Sequence, residues 1–485
     1  MPKPLPAALL CVGLAAACPA GAGILPAELW QDWQRLAAQD GSRLTASVAT
    51  GADGSLSLSA IRLSRTLFGA PAVIDLGTAR MEPDGPGGVR ITVPAGQSVA
   101  VGLGAPDADP LRFVIAVTGE TVVMHATGTP GAVAYDITPA NLAIEAAPED
   151  AASADRIRLA LPGLAGHVAP DGTADVAAAQ MDLELAVADP ASGQLARLTG
   201  RHDRPHLTLA AVPGGTPDRP DRQMVLTSAA ATHDWQSLGP DGTVSAAQVA
   251  RDLGSLVLTV GPDRFEAKSH DTAVRLTTLP PAPDLRPHGV LIDTFDLSIL
   301  GPAVLTAGDV TLSLGAIVDG LSLSSEDWAA IDPRAGIARD PGSLVLDLDA
   351  VTAFAPAPRP PDQAIEGLAV EGQLRSVTIH RLSLDFLGVS LDAQGNVRFL
   401  PAPAATSPGG MRPVGRVETA ATGVYGLLQS LSGAGLLTQD QALGLSMAMM
   451  IFAQPGEGDS LTSTIVAGAD GSVSVNGRNV TGGMP

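Results

Sequence analysis

Cysteine is nearly absent from this sequence of 485 residues, which contains only Cys11 and Cys18. Both lie within residues 1–22, where one lysine, the apolar run LPAALLCVGLAAAC and the small residues PAGAG are typical of a secretory signal peptide. We expect cleavage after Ala22, which leaves residues 23–485 without cysteine. Such a chain excludes disulfides, thiolate nucleophiles and cysteine-ligated zinc, so an exported protein of this kind depends on core burial for its stability.

A lipid anchor at Cys18 is the alternative to cleavage after Ala22. Ala15 stands where lipid-attachment sites usually carry leucine, so cleavage is the favoured reading. We therefore predict a periplasmic protein.

Aromatic and basic side chains are also scarce. Aromatic residues are 3% of the chain, lysine occurs only at Lys3 and Lys268, and the net charge is −21. Few rings are available to stack on sugars or bases, and a polyanionic surface repels phosphates. Nucleic acid is therefore excluded as a partner, and carbohydrate is disfavoured.

Long apolar runs and catalytic motifs are missing after the signal. No later run approaches the roughly 20 residues of a membrane-spanning helix, so we expect no transmembrane segment after cleavage. There is no Gly-x-Ser-x-Gly elbow, phosphate-binding loop or His-Glu-x-x-His motif. His202 and His206 have the spacing of two zinc ligands on a helix, but Pro205 opposes a helix there, which favours a solvated loop. We predict a non-enzymatic protein without a cofactor, catalytic or metal site.

Two carboxylate pairs keep an ion site open as an alternative. Asp107 and Asp109 form one pair, and Asp347 and Asp349 form the other. Residues two apart on a strand share a face, so each pair could bind one cation, or form the wet side of an amphipathic strand. The abundance of acidic residues favours the wet side.

Strand patterns and turn signals dominate what is present. Apolar residues alternate with polar ones in segments such as LVLDLDAV (344–351), and Asp-Gly or Gly turns separate the segments. The stretches GADGSLSLS (51–59) and GADGSVSVNG (468–477) predict two hairpins rather than ion loops, because each turn offers a single carboxylate. PDGP (83–86) and AQGN (393–396) also predict turns.

In three strands the apolar alternation changes phase, which predicts a bulge or a bend. The first change separates Leu58 from Ile61, the second crosses Gly320, and the third separates Ile379 from Leu382. Bent strands allow a sheet to curl.

The residues after the signal predict an amphipathic helix. In ILPAELWQDWQRLAAQDG, Pro26 suits the first turn, Leu29 and Trp33 share a face, and Gly41 ends the segment. We expect Trp30 and Trp33 to anchor a core rather than to bind a ligand.

The C-terminal part predicts a helix pair. VYGLLQSL forms the first helix, and Thr438 with Gln441 makes a capping box in front of QDQALGLSMAMMIFAQP. The second helix is apolar on most sides, which favours a buried helix lying on the sheet. The alternative is a lid that contacts lipid, and its candidate contacts are Leu443, Met447, Met450 and Ile451.

These elements predict a mainly β (α+β) fold: a large curved antiparallel sheet or sandwich with an N-terminal helix and a C-terminal helix pair. Proline-rich stretches at 212–222 and 355–362 mark the boundaries. The predicted segments are a signal peptide (1–22), a helix with a β-rich region (23–215), a central β-rich region (223–354) and a C-terminal β region with a helical hairpin (363–485).

Residues 375–478 resemble a bacterial family of exported proteins known as domain of unknown function 2125. The resemblance lies in the order of LSLDFLGVSLDAQGNVRFLPAP, GRVETAATGVYGLLQSL, GAGLLTQDQALGLSMAMMIFAQP and GADGSVSVNG. The family implies no activity, catalytic residue or cofactor. The layout is also similar, more distantly, to β-rich AsmA-like proteins, whose curved sheets are associated with envelope lipids, although those proteins usually keep a membrane anchor.

The sequence thus favours an exported periplasmic binding or scaffold protein of the cell envelope, with an envelope lipid or another envelope protein as its partner. A structural protein-interaction module is the alternative, and an uncharacterised hydrolase ranks last because no motif supports it. The ligand, the oligomeric state and the choice between barrel, sandwich and open sheet stay open.

Overall fold

The computed structural model describes residues 23–39, 41–67, 70–85, 87–103, 111–148, 155–189, 194–216, 219–239, 244–279, 287–303, 308–356, 370–401 and 411–480. The signal segment with Cys11 and Cys18, the Asp107 and Asp109 pair, and most of the predicted 355–362 boundary lie outside these ranges.

The fold is mainly β, with one large antiparallel sheet and, within the described ranges, four helices. The helices are α1 (Pro26–Gln39), α2 (Ser325–Ile331), α3 (Val424–Gly433) and α4 (Gln439–Phe452). The strands are β1 (Arg43–Thr50), β2 (Leu56–Leu67), β3 (Ala70–Pro83), β4 (Gly88–Val93), β5 (Gln97–Leu103), β6 (Leu111–Gly119), β7 (Val122–Thr129), β8 (Ala132–Pro148), β9 (Arg156–Val168), β10 (Ala174–Ala177), β11 (Gln180–Asp189), β12 (Gln194–Asp203), β13 (His206–Thr216), β14 (Arg219–Ser228), β15 (Ala231–Leu238), β16 (Val244–Arg251), β17 (Leu253–Val260), β18 (Arg264–Leu279), β19 (His288–Pro302), β20 (Gly308–Leu323), β21 (Gly342–Pro356), β22 (Val370–Phe386), β23 (Val389–Pro401), β24 (Met411–Thr422), β25 (Gln454–Pro455), β26 (Ser460–Ala467), β27 (Val473–Val475) and β28 (Arg478–Asn479). The predicted fold class, with its N-terminal helix and C-terminal helix pair, is confirmed.

The chain separates into two units. The first comprises residues 1–248, 280–283 and 357–370, and the second comprises 249–279, 284–356 and 371–485. The segments 23–215, 223–354 and 363–485 deduced from the sequence stay predictions.

In the first unit, α1 covers the sheet and closes a dry core. The helix packs on β1, β2 and β3, and its Leu29 and Trp30 are 0% and 6% exposed. Trp33 packs against the same cluster, and its Nε1 donates a hydrogen bond of 3.0 Å to the Tyr135 hydroxyl. The tryptophans therefore anchor a core, as predicted. The cluster beneath them is made of Ile24, Leu44, Leu56, Leu58, Ile61, Ala79, Met81, Val89, Ile91, Ala126, Val133, Tyr135, Val168 and Ala174.

The two GADGS stretches form hairpin turns with the same hydrogen bonds. Asp53 accepts bonds from the Ser55 hydroxyl (2.7 Å) and backbone N–H (3.1 Å), and Asp470 accepts the equivalent bonds from Ser472 (2.6 and 2.9 Å). The serine hydroxyl first, and then its N–H, hold the pKa of each carboxylate below its usual value. The glycine after each aspartate has a φ of 81° or 87°, a conformation that other residues rarely adopt. The prediction of two hairpins is confirmed.

All three predicted phase changes are β-bulges or irregularities in the observed register. The register shifts between Leu58 and Ile61 in β2, between Asp319 and Leu321 in β20, and between Ile379 and Leu382 in β22. Gly320, at the second site, has a φ of 72°, and a Cβ there would collide with the carboxylate of Asp293.

One turn prediction is wrong. AQGN (393–396) lies inside the continuous strand β23. Gly395 pairs with Val417 of β24, and a Cβ on Gly395 would lie 2.7 Å from the Val417 Cα. The glycine therefore permits a close approach of two strands instead of a turn.

Candidate functional site

Five consecutive antiparallel strands of the second unit, β17 to β21, carry an apolar face. Residues directly opposite one another form rows across all five strands, for example Leu258, Ala267, Ile299, Leu314 and Leu348. The adjacent row is Leu256, Ser269, Leu297, Ala316 and Leu346. We call this surface the open face; its apolar members are Leu256, Leu258, Val260, Phe265, Ala267, Phe295, Leu297, Ile299, Leu312, Leu314, Ala316, Val318, Leu344, Leu346 and Leu348.

The open face keeps much of its apolar area accessible to solvent. Val318 is buried, Leu256 is 38% exposed, and the other members are half-buried. Three helices have their main packing partners elsewhere: α1 packs on β1 to β3, and α3 and α4 pack on each other. Helix α2 lies at the start of β19, where its Asp327 accepts a hydrogen bond from the Gly289 N–H. A contiguous apolar patch that a protein leaves accessible marks a site for a ligand or a partner.

The opposite face of the same strands is polar and paired. Lys268 Nζ lies 2.6 Å from Glu266 Oε1, and His270 Nδ1 lies 2.7 Å from Asp296 Oδ1 on the neighbouring strand. These pairs keep one side of the strands wet, as one-sided alternation requires. Exposed apolar residues such as Leu300 (39%) and Ile317 (47%) lie among these pairs, so the open face differs from this side by its continuous apolar rows.

The predicted carboxylate pair Asp347 and Asp349 lies on this wet face. The Asp349 carboxylate accepts a bond from the Ser313 hydroxyl (2.5 Å) and pairs with His380 Nε2 (2.9 Å). The Ser313 bond, followed by the His380 bond, lowers the pKa of Asp349. No group of three or more metal-ligating side chains occurs in the described ranges. The polar partners of Asp349, Ser313 and His380, agree with the interpretation of this pair as the wet side of an amphipathic strand.

The structure does not bring His202 and His206 together, and the expected solvated loop is wrong for His202. His202 lies buried on β12, with its ring 4.9 Å from the ring of His233, whereas His206 lies on β13 and pairs with Asp175 at 2.8 Å. Strand β12 ends at Asp203 and β13 begins at His206, so the turn at Pro205 is short and both histidines lie on strands.

Helices α3 and α4 form a hairpin between β24 and β26, which pair with each other. The predicted capping box is present: the Thr438 hydroxyl accepts from the Gln441 N–H, and the Gln441 side chain accepts from the Thr438 N–H. Neither helix has a buried residue. The interpretation of α4 as a buried helix on the sheet is therefore wrong, because within the described ranges α4 packs mainly on α3 and on the two-residue strand β25.

The four candidate lid residues form one exposed stripe of α4. Leu443, Met447, Met450 and Ile451 are 56 to 61% exposed, and their spacing of four, three and one residues puts them on one side of the helix. We call them the outer stripe. The half-covered residues of α4 are Ala442, Ser446, Ala448 and Met449. Leu445 and Phe452 are also exposed, so most of the large apolar side chains of α4 face solvent.

Comparison of the chain with protein-family models, with curated proteins and with solved structures gives no match in any of the three. The resemblance to the exported family of unknown function therefore stays a prediction.

Sequence reasoning found the outer stripe and missed the open face. Alternation was visible in β19 and β21 separately, but rows across five strands depend on the register, which a single strand pattern does not contain. The signal that could have found the face is the recurrence of the same alternation in five strands in succession.

Proposed function

We propose that this protein is an exported, non-enzymatic binding protein of the cell envelope, which holds an apolar ligand of the lipid class against the open face. The observation that carries this proposal is the continuous apolar surface of β17 to β21, which none of α1, α3 and α4 takes as its main partner in the described part of the chain. The sequence resemblance to exported proteins and the signal segment support the periplasmic location.

The chemistry of the open face suits an acyl chain better than a polar ligand. Its rows consist mainly of leucine, isoleucine, alanine, valine and phenylalanine. Ser269 is a polar member, and Asp271, which pairs with Arg251 at 3.1 Å, lies near one end of the row that contains Phe295. Five strands spaced about 4.8 Å apart give a surface roughly 19 Å across. Withdrawal of such a surface from water contributes about 25 cal/mol per Å² of apolar area, without any directional contact. A lipid tail gains from this term, whereas a sugar or a nucleotide would lose hydrogen bonds to water.

Native mass spectrometry of the purified chain tests the proposal. We expect a co-purified mass in the lipid range, or uptake of added phospholipid by delipidated protein. A bare mass under gentle conditions, together with no uptake, would contradict the proposal.

Strand β20 offers a matched pair of variants for the same measurement. Leu314 lies on the open face, and Ile317 lies on the opposite face with 47% exposure. Leu314→Gln should reduce lipid uptake, while Ile317→Gln should leave it at the level of the unmodified chain. Equal uptake by both variants would place the ligand elsewhere.

A further inference from the structure

The α3–α4 hairpin is almost free of charge. Residues 424–452 contain one charged side chain, Asp440, and neither lysine nor arginine. Asp440 lies in the first turn of α4, beside the capping residues Thr438 and Gln441, and the large apolar residues follow over the next three turns. The polar groups of the hairpin are thus concentrated at one end of α4.

The backbone of the hairpin has hydrogen-bond partners at its helix ends. The Asp459 carboxylate accepts from the N–H groups of Tyr425 and Gly426 at 3.3 and 3.4 Å, at the start of α3. At the end of α4, the Phe452 carbonyl accepts from the Ser463 hydroxyl (2.6 Å) and the Asn476 side chain (3.2 Å). Because the sheet provides these partners, the hairpin keeps its caps while the outer stripe faces an apolar phase.

The hairpin satisfies the requirements of a lipid surface better than those of a protein partner. Protein interfaces are anchored by tryptophan, tyrosine and arginine within a polar rim, and this hairpin has one tyrosine, one phenylalanine and no arginine. Helix α4 has 14 residues. Its length of about 21 Å is too short to cross a hydrocarbon layer of about 30 Å. No helix in the described part of the chain is long and apolar enough to cross a membrane. An apolar segment of about 10–14 residues suits either a buried core helix or an interfacial segment, and α4 has no buried residue.

We infer that the α3–α4 hairpin docks the protein on the surface of a lipid bilayer, with the outer stripe of α4 in the acyl region and the turn around Asp440 among the headgroups. Since the hairpin has no basic residue and the chain has a net charge of −21, attraction to anionic lipid does not drive this docking. Burial of Leu443, Met447, Met450 and Ile451 drives it. The inference goes beyond the proposed function, because docking requires no ligand on the open face.

An environment-sensitive fluorophore on the full mature chain tests the docking. The sequence has no cysteine beyond Cys18, so Met447→Cys in the chain from residue 23 carries a single thiol for labelling. We expect a blue-shifted emission and flotation of the protein when vesicles of pure phosphatidylcholine are added. The matched control is Leu253→Cys, which is 60% exposed on the polar side of β17 and should show no shift.

Charge placed on the outer stripe should abolish the interaction. Met447→Glu combined with Met450→Glu should lower the partition coefficient by about tenfold or more, because each carboxylate must be carried into the interface. Leu253→Glu is the matched control and should float like the unmodified chain. Circular dichroism and thermal unfolding report whether the variants are folded. The double variant Met447→Leu with Met450→Leu keeps the stripe apolar and should bind vesicles as the unmodified chain does. It still tests the docking if the glutamate variant does not fold.

Three results would overturn the inference. Emission at Met447→Cys that is already blue-shifted without vesicles, and unchanged by them, would show that the protein itself covers the stripe. Flotation that needs anionic lipid and disappears with salt would assign the binding to electrostatics. A sedimentation change from dimer to monomer in the glutamate variant, without an effect on flotation, would assign the stripe to a second copy of the chain.

Discussion

The strands beneath α1 and the strands β17 to β21 both alternate apolar and polar residues, but their apolar side chains differ in exposure. Under α1, Leu58, Met81 and Ile91 are fully buried, whereas Leu258, Ile299 and Leu314 of the open face are half-buried. Helix α1 makes the difference, since it packs on β1 to β3, whereas α3 and α4 pack on each other and α2 meets the start of β19 in the contacts of the described residues. The same strand pattern therefore builds a core where a helix covers it and a partly exposed apolar face where no such helix packs among the described residues.

The region around β17 to β21 contains buried polar clusters. Asp327 of α2 accepts bonds from the Gly289 N–H (2.7 Å) and the Ser324 hydroxyl (2.7 Å), and pairs with His288. Asp332 is buried and accepts from the N–H groups of Gly336 and Ile337.

The largest effect is expected where the core is covered. Leu29→Ala should destabilise the first unit by about 2–5 kcal/mol, because truncation of a fully buried leucine removes its transfer free energy and leaves a cavity. Urea unfolding followed by tryptophan fluorescence measures this loss, since Trp30 and Trp33 lie in the same cluster. If Leu29→Ala lowers the free energy of unfolding by less than the exposed substitution Leu253→Ala does, α1 does not cover a core as described.

The Asp327 cluster should give the second largest effect, and it should depend on pH. The Gly289 N–H, followed by the Ser324 and His288 bonds, lowers the pKa of Asp327 to about 2. A lowered pKa in the folded state adds stability above pH 4 that is lost as the pH falls through 4 towards 2. This pKa shift corresponds to about 2 kcal/mol of free energy of unfolding.

Asp327→Asn should therefore cost about 2 kcal/mol at neutral pH and little near pH 2. Urea unfolding at several pH values measures the difference. Glu326→Gln removes an exposed carboxylate from the same helix and serves as the control. A constant difference between Asp327→Asn and the unmodified chain at every pH would contradict the assignment.

Truncation on the open face should have a smaller effect. Leu314→Ala should cost about 1 kcal/mol, because a half-buried leucine loses only part of its transfer free energy and the gap is filled by water. Urea unfolding of Leu314→Ala and Leu29→Ala under the same conditions compares the two losses in free energy of unfolding. Equal losses would mean that the open face is covered as tightly as the core under α1.

The smallest effect concerns His380 on the wet face. The bond to Asp349, with further attraction from Asp349 and Asp347, raises the pKa of His380 above its usual value. A raised pKa in the folded state gives stability below pH 6.5 that is lost as the pH rises through the folded value. An NMR titration should place the His380 midpoint above 6.5, and Asp349→Asn should lower that midpoint. No change in the variant would exclude the pair as the cause.

Local features were predictable because a few neighbouring residues decide them. The Thr438 and Gln441 capping box, the two GADGS turns and the register shift at Gly320 all depend on side-chain bonds or φ values within about five residues. The role of the glycine in AQGN was not predictable. Gly395 is required because β24 approaches β23 closely at this position, not because the chain turns there.

The candidate site was predictable only in part. The outer stripe is visible as residues at helical spacing, but its exposure is not, because burial of a helix depends on what packs against it. Helices α1 and α4 both carry large apolar residues, yet Leu29 is buried and Leu443 is 61% exposed.

The sequence by itself determined the strands, the hairpin turns, the bends and the helix caps, since hydrogen bonds and backbone dihedrals act over short distances. Only the tertiary structure decided which apolar faces are covered. The hydrophobic effect has no direction, so an apolar face fits equally well beneath a helix, a lipid or another protein. The position of α1 buried one such face, and the positions of β17 to β21 and α4 left two others accessible.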